Sequence, residues 1–445
     1  MKATYYIKLF VIIVFAAVTA VFFASTVDWR AKASTDPKSN GLPFSQELAD
    51  LGDKIFDDQN LSVNRNQACN SCHSAAWGFT GPDPAINGHG AVYEGSIPGR
   101  FGDRKPPSST YSTLPRTFAL TRKAGGTFVG GNFWDGRATG ERLGNPAAEQ
   151  AQGPFLNRME QGLRDEACVV YRVSIASYGA DYRAIWGTAI DAIDFPDDID
   201  YQCGFEGPRL NIDQANRDLI MEEYDKIGIS IAVYEESHGL YTSKFDATRK
   251  GLYKFTEQER LGMALFEGKG KCAECHISSG QDPAFTDHTF DNIGVPANPE
   301  NPFYLTHPNF VDLGLGGFLA TRPEWAMYAD EQAGAMRVPT LRNVDLRPFD
   351  GAQKAYMHNG VFKSLEEVVH FYNTRDLLPR CDAGVPRTAW GVSCWPAPEV
   401  PWNIEQTRVG NLGLTFDEEA ALVAFLRTLS DGFVPQPRGN QPIAK

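Results

Sequence analysis

Two five-residue runs combine the residue types and the spacing that can attach an iron porphyrin covalently. Residues 69–73 and residues 272–276 both read C-x-x-C-H. Two thiols at this spacing can each add to one vinyl group of the porphyrin, and the adjacent histidine can then bind the iron. A zinc ribbon is disfavoured, because its cysteine pairs are separated by about 15–20 residues. We therefore expect two c-type haems, attached through Cys69 and Cys72 and through Cys272 and Cys275, with His73 and His276 as iron ligands.

The remaining four of the eight cysteines have a different expected role. They are Cys168, Cys203, Cys381 and Cys394. An even number of cysteines outside the haem motifs suggests two disulfides in an exported protein. Pairing Cys168 with Cys203 and Cys381 with Cys394 closes the shortest loops and is the preferred prediction. The two crossed pairings and four free buried thiols are the alternatives.

The N-terminal residues 1–33 have the pattern of an export signal. Two lysines occur in the first eight residues, and residues 9–27 then contain no charge. This apolar run approaches the roughly 20 residues that a membrane-spanning helix needs. We expect export to the periplasm, with the segment either cleaved as a signal peptide or retained as a membrane anchor.

Length and composition predict a globular protein of two domains. At 445 residues the chain is too long for one ordinary core, and 42% of its residues are hydrophobic. The formal charge of −13 argues against nucleic-acid binding, which requires a basic face. Helix signals outnumber strand signals, so we predict a mainly α-helical fold with two c-type cytochrome-like domains, residues 40–240 and 245–435, each with one covalent haem.

The elements that must position the two motifs can be predicted from apolar periodicity and capping signals. A short amphipathic helix, with residues 48, 51, 55 and 56 on one face, should lead into the first motif. Helices are predicted over residues 164–186 and 213–236, and long loops over residues 77–107 and 280–335. Capping boxes predict three helix starts in the second half, at Thr256-x-x-Glu259, Ser364-x-x-Glu367 and Thr415-x-x-Glu418.

Two further stretches give the chain a family resemblance. Residues 133–137 read FWDGR, and residues 149–154 read EQAQGP, followed by Glu160. Together with the two haem motifs, they make the chain resemble the bacterial di-haem cytochrome c peroxidase and MauG superfamily from residue 48 to residue 430.

The resemblance implies a division of labour between the two haems. The N-terminal haem would react with peroxide, the C-terminal haem would store or relay electrons, and Trp134 would lie between them. Gln150, Pro154 and Glu160 match the distal pocket of the peroxide site. A carboxylate close to the iron can move a proton between the two oxygens during O–O cleavage. The segment between Trp134 and Gln150 is longer than the family's usual form, with residues 140–146 as an extra loop.

Tyr372 separates the two branches of the family that the chain resembles. In ordinary cytochrome c peroxidases a methionine on the helix after a Y-x-H-x-G segment is the sixth ligand of the C-terminal haem. Here residues 356–360 read YMHNG, and Tyr372 occupies the ligand position, as tyrosine does in MauG-type enzymes. A phenolate lowers the haem potential, whereas methionine raises it. The alternatives are a tyrosine of the core and Met357 as ligand.

Two other positions leave alternatives open. His89 follows His73 at the distance of a histidine that blocks the peroxide-reacting haem in some family members, but the loop around it differs, which favours a structural role in the loop. The resemblance also implies calcium between the domains, bound in part by an asparagine. Lys105 stands at that position, and a lysine does not ligate calcium at neutral pH. Calcium stays an open alternative.

The expected function is a MauG-like, hydrogen-peroxide-dependent oxidation of a protein partner or an aromatic residue by long-range electron transfer. A detoxifying cytochrome c peroxidase, supplied with electrons by a small c-type cytochrome, is the first alternative. A non-catalytic di-haem electron carrier is the second. An open distal pocket with Gln150 and Glu160 argues against the carrier, because an electron relay needs no such pocket.

Overall fold

The computed structural model describes residues 41–121 and 126–435. These residues are mainly helical, as predicted. The helices are α1 Gln46–Phe56, α2 Pro84–Gly88, α3 Pro146–Leu156, α4 Glu166–Ser174, α5 Gly179–Trp186, α6 Ile199–Gln202, α7 Gln214–Ser237, α8 Lys244–Arg249, α9 Glu257–Glu267, α10 Pro302–Thr306, α11 Gly314–Ala320, α12 Leu365–Thr374 and α13 Phe416–Arg427. Two short antiparallel pairs supply the strands, β1 Ala119–Thr121 with β2 Thr127–Val129 and β3 Phe290–Asp291 with β4 Met336–Arg337.

The first core forms where α1 packs against α7. The predicted amphipathic face of α1 is buried, including Leu48, Leu51, Ile55 and Phe56. The two helices approach so closely at Gly52 that a Cβ atom there would lie 2.1 Å from the backbone oxygen of Ser230. A helix crossing at this distance requires glycine, since any side chain would meet backbone rather than a movable group.

The second core repeats this arrangement with α9 and α13. At Gly262 of α9, a Cβ atom would lie 2.0 Å from the backbone oxygen of Ala421 in α13. Aromatic side chains dominate this core, and Phe245, Phe285 and Phe425 are fully buried in it. A third, smaller cluster joins the β1–β2 hairpin to β3 and α11. The chain therefore has one helix-crossing core before residue 234 and another after residue 244.

The capping predictions are confirmed at two of three helices. Reciprocal capping boxes begin α9 at Thr256 and α13 at Thr415. At α12, Ser364 accepts a hydrogen bond from the Glu367 backbone N–H as predicted. The Glu367 carboxylate instead accepts from the backbone N–H of Lys363, so only half of that capping box forms.

Three element predictions are wrong in detail. The loop expected over residues 77–107 contains α2, which Asp83 caps. The helix expected over residues 164–186 is broken into α4 and α5, and the Arg183 side chain donates a hydrogen bond to the Ser174 carbonyl at the end of α4. The loop expected over residues 280–335 contains α10 and α11. Asn301 caps α10 and Pro302 occupies its first turn, which favours helix initiation there.

Both predicted disulfides are present. Cys168 is bonded to Cys203 and ties α4 to the end of α6. Cys381 is bonded to Cys394 and closes a loop that ends in Trp395. This tryptophan is fully buried, and its indole N–H donates to Thr374 Oγ1 at the end of α12. The second disulfide therefore closes the segment that packs on α12.

The predicted export segment, residues 1–33, lies outside the described residues. Within residues 41–121 and 126–435, no helix is both long and apolar enough to span a membrane.

The glycine crossing gives a prediction for stability. Gly262→Ala should lower the free energy of unfolding of the haem-loaded protein by roughly 1–3 kcal/mol or more, the usual cost of overpacking. Gly317→Ala in α11 is the matched control, because its Cβ would meet Leu313 Cβ at 3.4 Å. Alanine favours helix over glycine, so this control should be neutral or stabilising. Denaturant unfolding followed by circular dichroism measures both; equal stability of the two variants would contradict the prediction.

Candidate active site

The first C-x-x-C-H motif forms a single turn of 3₁₀-helix, Cys69–Ser71. Nδ1 of His73 donates to the backbone oxygen of Phe79 at 2.9 Å. Phe79 presents this carbonyl from a left-handed backbone conformation, with φ of +56°. The hydrogen bond fixes the tautomer, so Nε2 is the nitrogen available to a metal.

The second motif repeats this geometry. It forms a 3₁₀ turn over Cys272–Glu274, and Nδ1 of His276 donates to the backbone oxygen of Phe285 at 2.9 Å. Phe285 is also left-handed, with φ of +53°. Burial lowers the pKa of both His73 and His276, which favours the neutral imidazole that binds metals.

The first cavity brings together all the predicted residues of the N-terminal site. It encloses about 1260 Å³ of space without protein atoms, part of it open to solvent. One part of its wall carries the haem motif and another carries residues of α3 and of the turn that follows it. The predicted residues in the lining are Cys69, Cys72, His73, Trp134, Gln150, Pro154 and Glu160.

Glu160 is held by a turn that follows α3. Its Oε1 accepts a hydrogen bond from Asn157 Nδ2 at 2.9 Å, and its backbone oxygen accepts from the Ser96 N–H at 2.7 Å. Burial raises the pKa of Glu160, while the charge of Arg137 and the Asn157 hydrogen bond oppose that shift. The carboxyl group therefore binds a proton more readily than a solvated glutamate does, which suits a group that must both accept and return one.

The extra loop before α3 does not displace Gln150 from the cavity. Glu149, the preceding residue, accepts backbone hydrogen bonds from Gly140, Arg142 and Leu143 at 2.7–2.9 Å. Asn145 caps the helix by accepting from the Ala147 and Ala148 N–H groups. The loop is thus closed onto the first turn of α3, and the next residue, Gln150, faces the cavity with Pro154 one turn later.

The second cavity brings together the predicted residues of the C-terminal site. It encloses about 1510 Å³, is lined largely by apolar side chains, and contains Cys272, Cys275, His276 and Tyr372. Tyr372 lies on α12, and burial raises the pKa of its phenol. No described side chain forms a hydrogen bond with its hydroxyl group. Met357, the alternative ligand, lines the same cavity.

Trp134 is the one described residue that lines both cavities. Its indole N–H donates to the Lys105 backbone oxygen at 3.1 Å, and its own backbone oxygen accepts from the Arg337 N–H at 2.8 Å. The ring meets the His358 imidazole edge-on, with 6.4 Å between centroids. Trp134 therefore forms part of the wall that the two cavities share, between the two sites as the resemblance implied.

A buried ion cluster fixes this wall. The Arg104 guanidinium makes two 2.6 Å hydrogen bonds to Asp312 and one of 2.7 Å to Asp135, the residue after Trp134. Asp312 is 2% accessible and Asp135 is 9% accessible. Sequence reasoning missed this cluster, because Arg104 and Asp312 are 208 residues apart.

The residues present fit two haem groups. The four motif cysteines are outside the disulfides and line the two cavities. In the second cavity, Nε of the partly buried Arg337 is itself buried and orphaned, and no described group accepts a hydrogen bond from this side chain. Burial lowers its pKa to about 10. A propionate of a bound porphyrin would satisfy this otherwise costly cation.

The structure shows where the two remaining residues, His89 and Lys105, lie. His89 lies outside the lining of the first cavity; its Nδ1 is 3.1 Å from Glu300 Oε2 and its side chain is 78% exposed. Lys105 Nζ donates to Thr80 Oγ1 and to the Pro106 backbone oxygen, both at 2.9 Å. These two oxygens are thus already bonded to the Lys105 amino group, whose pKa is lowered to about 7 by burial and by the charge of Lys363.

Comparison with known proteins agrees with this arrangement. A family model of the di-haem cytochrome c peroxidases matches residues 46–254. The methylamine utilization protein MauG of Paracoccus denitrificans is 32% identical over 87% of this chain and 90% of its own length. This chain belongs to the di-haem cytochrome c peroxidase and MauG family.

Other members of the family align over similar lengths. Cytochrome c551 peroxidase of Nitrosomonas europaea is 25% identical over 78% of this chain and 79% of its own. The solved di-haem peroxidase BthA of Burkholderia thailandensis superposes with a TM-score of 0.65 at 27% identity, covering 87% of each chain. The protein is therefore a peroxide-dependent di-haem oxidoreductase with two covalently bound haem c groups, and it works with peroxide and a protein redox partner.

Arg337 gives a prediction for the second haem. Arg337→Gln removes a positive charge beside a bound carboxylate and should lower that haem's reduction potential, because the oxidised iron is then favoured. We expect a shift on the order of 50 mV, where about 59 mV is tenfold in a one-electron equilibrium. Potentiometric titration of the holoprotein measures it.

Two matched variants accompany that titration. Arg337→Lys keeps the charge and should retain most of the potential. Arg322→Gln removes a surface arginine that pairs with Glu141 and Glu324 and should change neither haem. An unchanged potential in Arg337→Gln would rule out its contact with the haem.

Proposed function

We propose that this protein is a MauG-type enzyme that uses hydrogen peroxide to oxidise an aromatic residue of another exported protein. The observation that carries the proposal is Tyr372, which lines the second cavity with His276 where other family members have methionine. A phenolate ligand lowers the haem potential and favours higher oxidation states of iron. Such a site suits an enzyme that holds oxidising equivalents, rather than one that accepts electrons from a high-potential donor.

In this proposal each half of the chain is one haem domain. Residues 40–240 and 245–435 would be the two domains, supported by the two separate helix-crossing cores and by one C-x-x-C-H motif in each. The periplasm is the proposed location, because disulfides and covalent haem attachment both belong to an oxidising, exported setting. The N-terminal segment would be a cleaved signal or an anchor.

The first cavity would carry out the reaction with peroxide. When bound, haem supplies the redox-active iron that reacts with peroxide and holds oxidising equivalents. His73 would hold the N-terminal iron, with its imidazole oriented by the Phe79 carbonyl. Glu160 would take a proton from the nearer peroxide oxygen and return it to the departing oxygen as the O–O bond breaks. Gln150 would hydrogen-bond the peroxide, and Pro154 would shape the wall beside it.

The second cavity would hold charge for the oxidation of the partner. His276 and Tyr372 would hold the C-terminal iron, and Arg337 would pair with a propionate. Trp134 would conduct electrons between the two cavities, because its ring is part of both walls. The partner would then be oxidised at the protein surface without entering the first cavity.

Glu160 provides the test of the peroxide chemistry. Glu160→Gln keeps the size and the Asn157 contact but removes the titratable group, so both haems should attach while the reaction with peroxide slows by about 10²–10⁴-fold. Stopped-flow spectroscopy of the haem-loaded protein measures this rate. Gln152→Glu is not a suitable control, because Gln152 donates a hydrogen bond to Asp225 and a second carboxylate there would break it. Glu300→Gln, at the surface, is a suitable control. Wild-type kinetics in Glu160→Gln would remove this residue from the mechanism.

Tyr372 provides the test of the MauG-type assignment. The fully ferric protein should react with hydrogen peroxide without prior reduction, because both oxidising equivalents can be shared between the cavities. Tyr372→Met should raise the potential of the second haem and shorten the lifetime of the oxidised protein. Tyr372→Phe should change the spectrum of that haem, since phenylalanine offers no ligand atom.

The alternative, a cytochrome c peroxidase fed by a small c-type cytochrome, predicts the opposite outcomes. A wild-type protein that is inert to peroxide until half-reduced would favour it. An unchanged C-terminal haem spectrum in Tyr372→Phe would also favour the cytochrome c peroxidase alternative. Met357 would then be the candidate ligand. The similarity to cytochrome c551 peroxidase supports this alternative.

A further inference from the structure

Asp103 is an accessible carboxylate in the cavity that contains Glu160. Both residues line that cavity, together with Arg137. The Asp103 side chain is 34% accessible, whereas Asp135 and Asp312, the other two carboxylates around Arg104, are 9% and 2% accessible. Of the three, Asp103 alone combines contact with the cavity and access to solvent.

The backbone of Asp103 is fixed, while its carboxylate is only loosely held. The fully buried Asn301 donates a hydrogen bond from Nδ2 to the Asp103 backbone oxygen at 2.8 Å. No described side chain donates a hydrogen bond to the carboxylate, and the nearest cationic atom is Arg104 Nε at 3.5 Å. The Asp103 carboxylate is therefore free of hydrogen bonds from the described side chains, while its backbone is fixed at the edge of the cavity.

Electrostatics connects the two carboxyl groups. The negative charge of Asp103 contributes to the raised pKa of Glu160. Burial raises the pKa of Asp103 itself, opposed by Arg104 and Arg137 and reinforced by Asp312. The other titratable groups that sense Asp103 are Tyr304 and Glu399, from the second half of the chain. Both carboxyl groups thus keep a proton to higher pH than solvated carboxyl groups do.

Complete turnover needs a proton supply that is separate from the electron supply. Reduction of hydrogen peroxide consumes two protons and two electrons: H2O2 + 2H⁺ + 2e⁻ gives two water molecules. The internal proton transfer by Glu160 during O–O cleavage adds no proton to this balance. If electrons arrive from a partner through Trp134, the two protons must enter the first cavity from solvent by another route.

We propose that Asp103 relays protons between solvent and Glu160, so that the first cavity takes up two protons for each peroxide reduced. The relay rests on the proposed role of Glu160. Asp103 acts through that residue and does not touch the peroxide. Its removal should slow turnover but leave the initial reaction with peroxide unchanged, because the initial step only moves a proton within the pocket.

The experiment compares two rates in the haem-loaded protein and in its Asp103→Ala variant. The first is the stopped-flow reaction with hydrogen peroxide, which we expect to stay at the wild-type value. The second is steady-state turnover with ferrocenemethanol, a donor that supplies electrons without protons. We expect it to fall by about 100-fold at neutral pH, the lower end of acid–base contributions.

Rescue by an added acid separates a relay from a structural role. Raising the concentration of 2-morpholinoethanesulfonate buffer at fixed pH and ionic strength should accelerate turnover of Asp103→Ala but not of the wild type. Asp103→Glu should retain most of the wild-type turnover, and Asp103→Asn should behave like alanine. Glu300→Gln is the matched control, since Glu300 is an accessible carboxylate on the neighbouring segment that does not line the cavity.

Each outcome decides between the proposals. Wild-type turnover in both Asp103→Ala and Asp103→Asn, or slow turnover without buffer rescue, overturns the relay. If Glu160→Gln is also slow with peroxide, the function proposed above stands even then. Wild-type peroxide kinetics in Glu160→Gln would instead remove the acceptor on which the relay depends.

Discussion

The Arg104 guanidinium is the interaction on which the arrangement of the two cavities depends. It binds Asp135, beside Trp134, and Asp312, which lies in the second half and also accepts from the Gly314 N–H at the start of α11. Breaking a buried ion pair by removing one partner costs about 3–5 kcal/mol. The cluster therefore holds a residue of the shared wall against the opposite half, and small displacements of that wall are resisted by charge as well as by packing.

The same construction is used twice, with different side chains facing the two cavities. In each half, a helix pair crosses at a glycine, and the motif histidine is oriented by the carbonyl of a left-handed phenylalanine. The first cavity then presents Gln150 and Glu160, and the second presents Tyr372 and a mainly apolar lining. The backbone supplies two equivalent ways to hold haem, and the two cavities differ in the side chains that line them.

Sequence reasoning succeeded where the chemistry is local. The C-x-x-C-H runs, the disulfide loops and the caps at Thr256 and Thr415 each depend on residues close together in the chain, and their geometry follows from spacing alone. The helix break before Gly179 was missed, and the Ser174 carbonyl there is bonded by Arg183, a side chain nine residues after the end of α4. The Asn301-Pro302 pair was a local signal for α10 that could have been read.

The parts of the site that were missed depend on contacts between distant segments. Arg104 meets Asp312 across 208 residues, and Arg337 is notable only because no described group satisfies it. Asp103 resembles any other surface aspartate until the cavity beside it is known. Spacing in the sequence carries no information about which charges share a buried volume, whereas the family resemblance located Trp134 and Glu160 through a matched pattern.

The Cys381–Cys394 disulfide has a practical consequence for making the enzyme. It closes the loop that delivers Trp395 to the end of α12, and Trp395 also packs edge-on against Phe371 on that helix. Because α12 carries Tyr372, the disulfide-closed loop supports the same helix that lines the second cavity. Disulfides persist in oxidising compartments and not in the reducing cytosol. A recombinant host that attaches haem but leaves Cys381 and Cys394 reduced would yield a coloured protein in which the loop that supports α12 is not cross-linked.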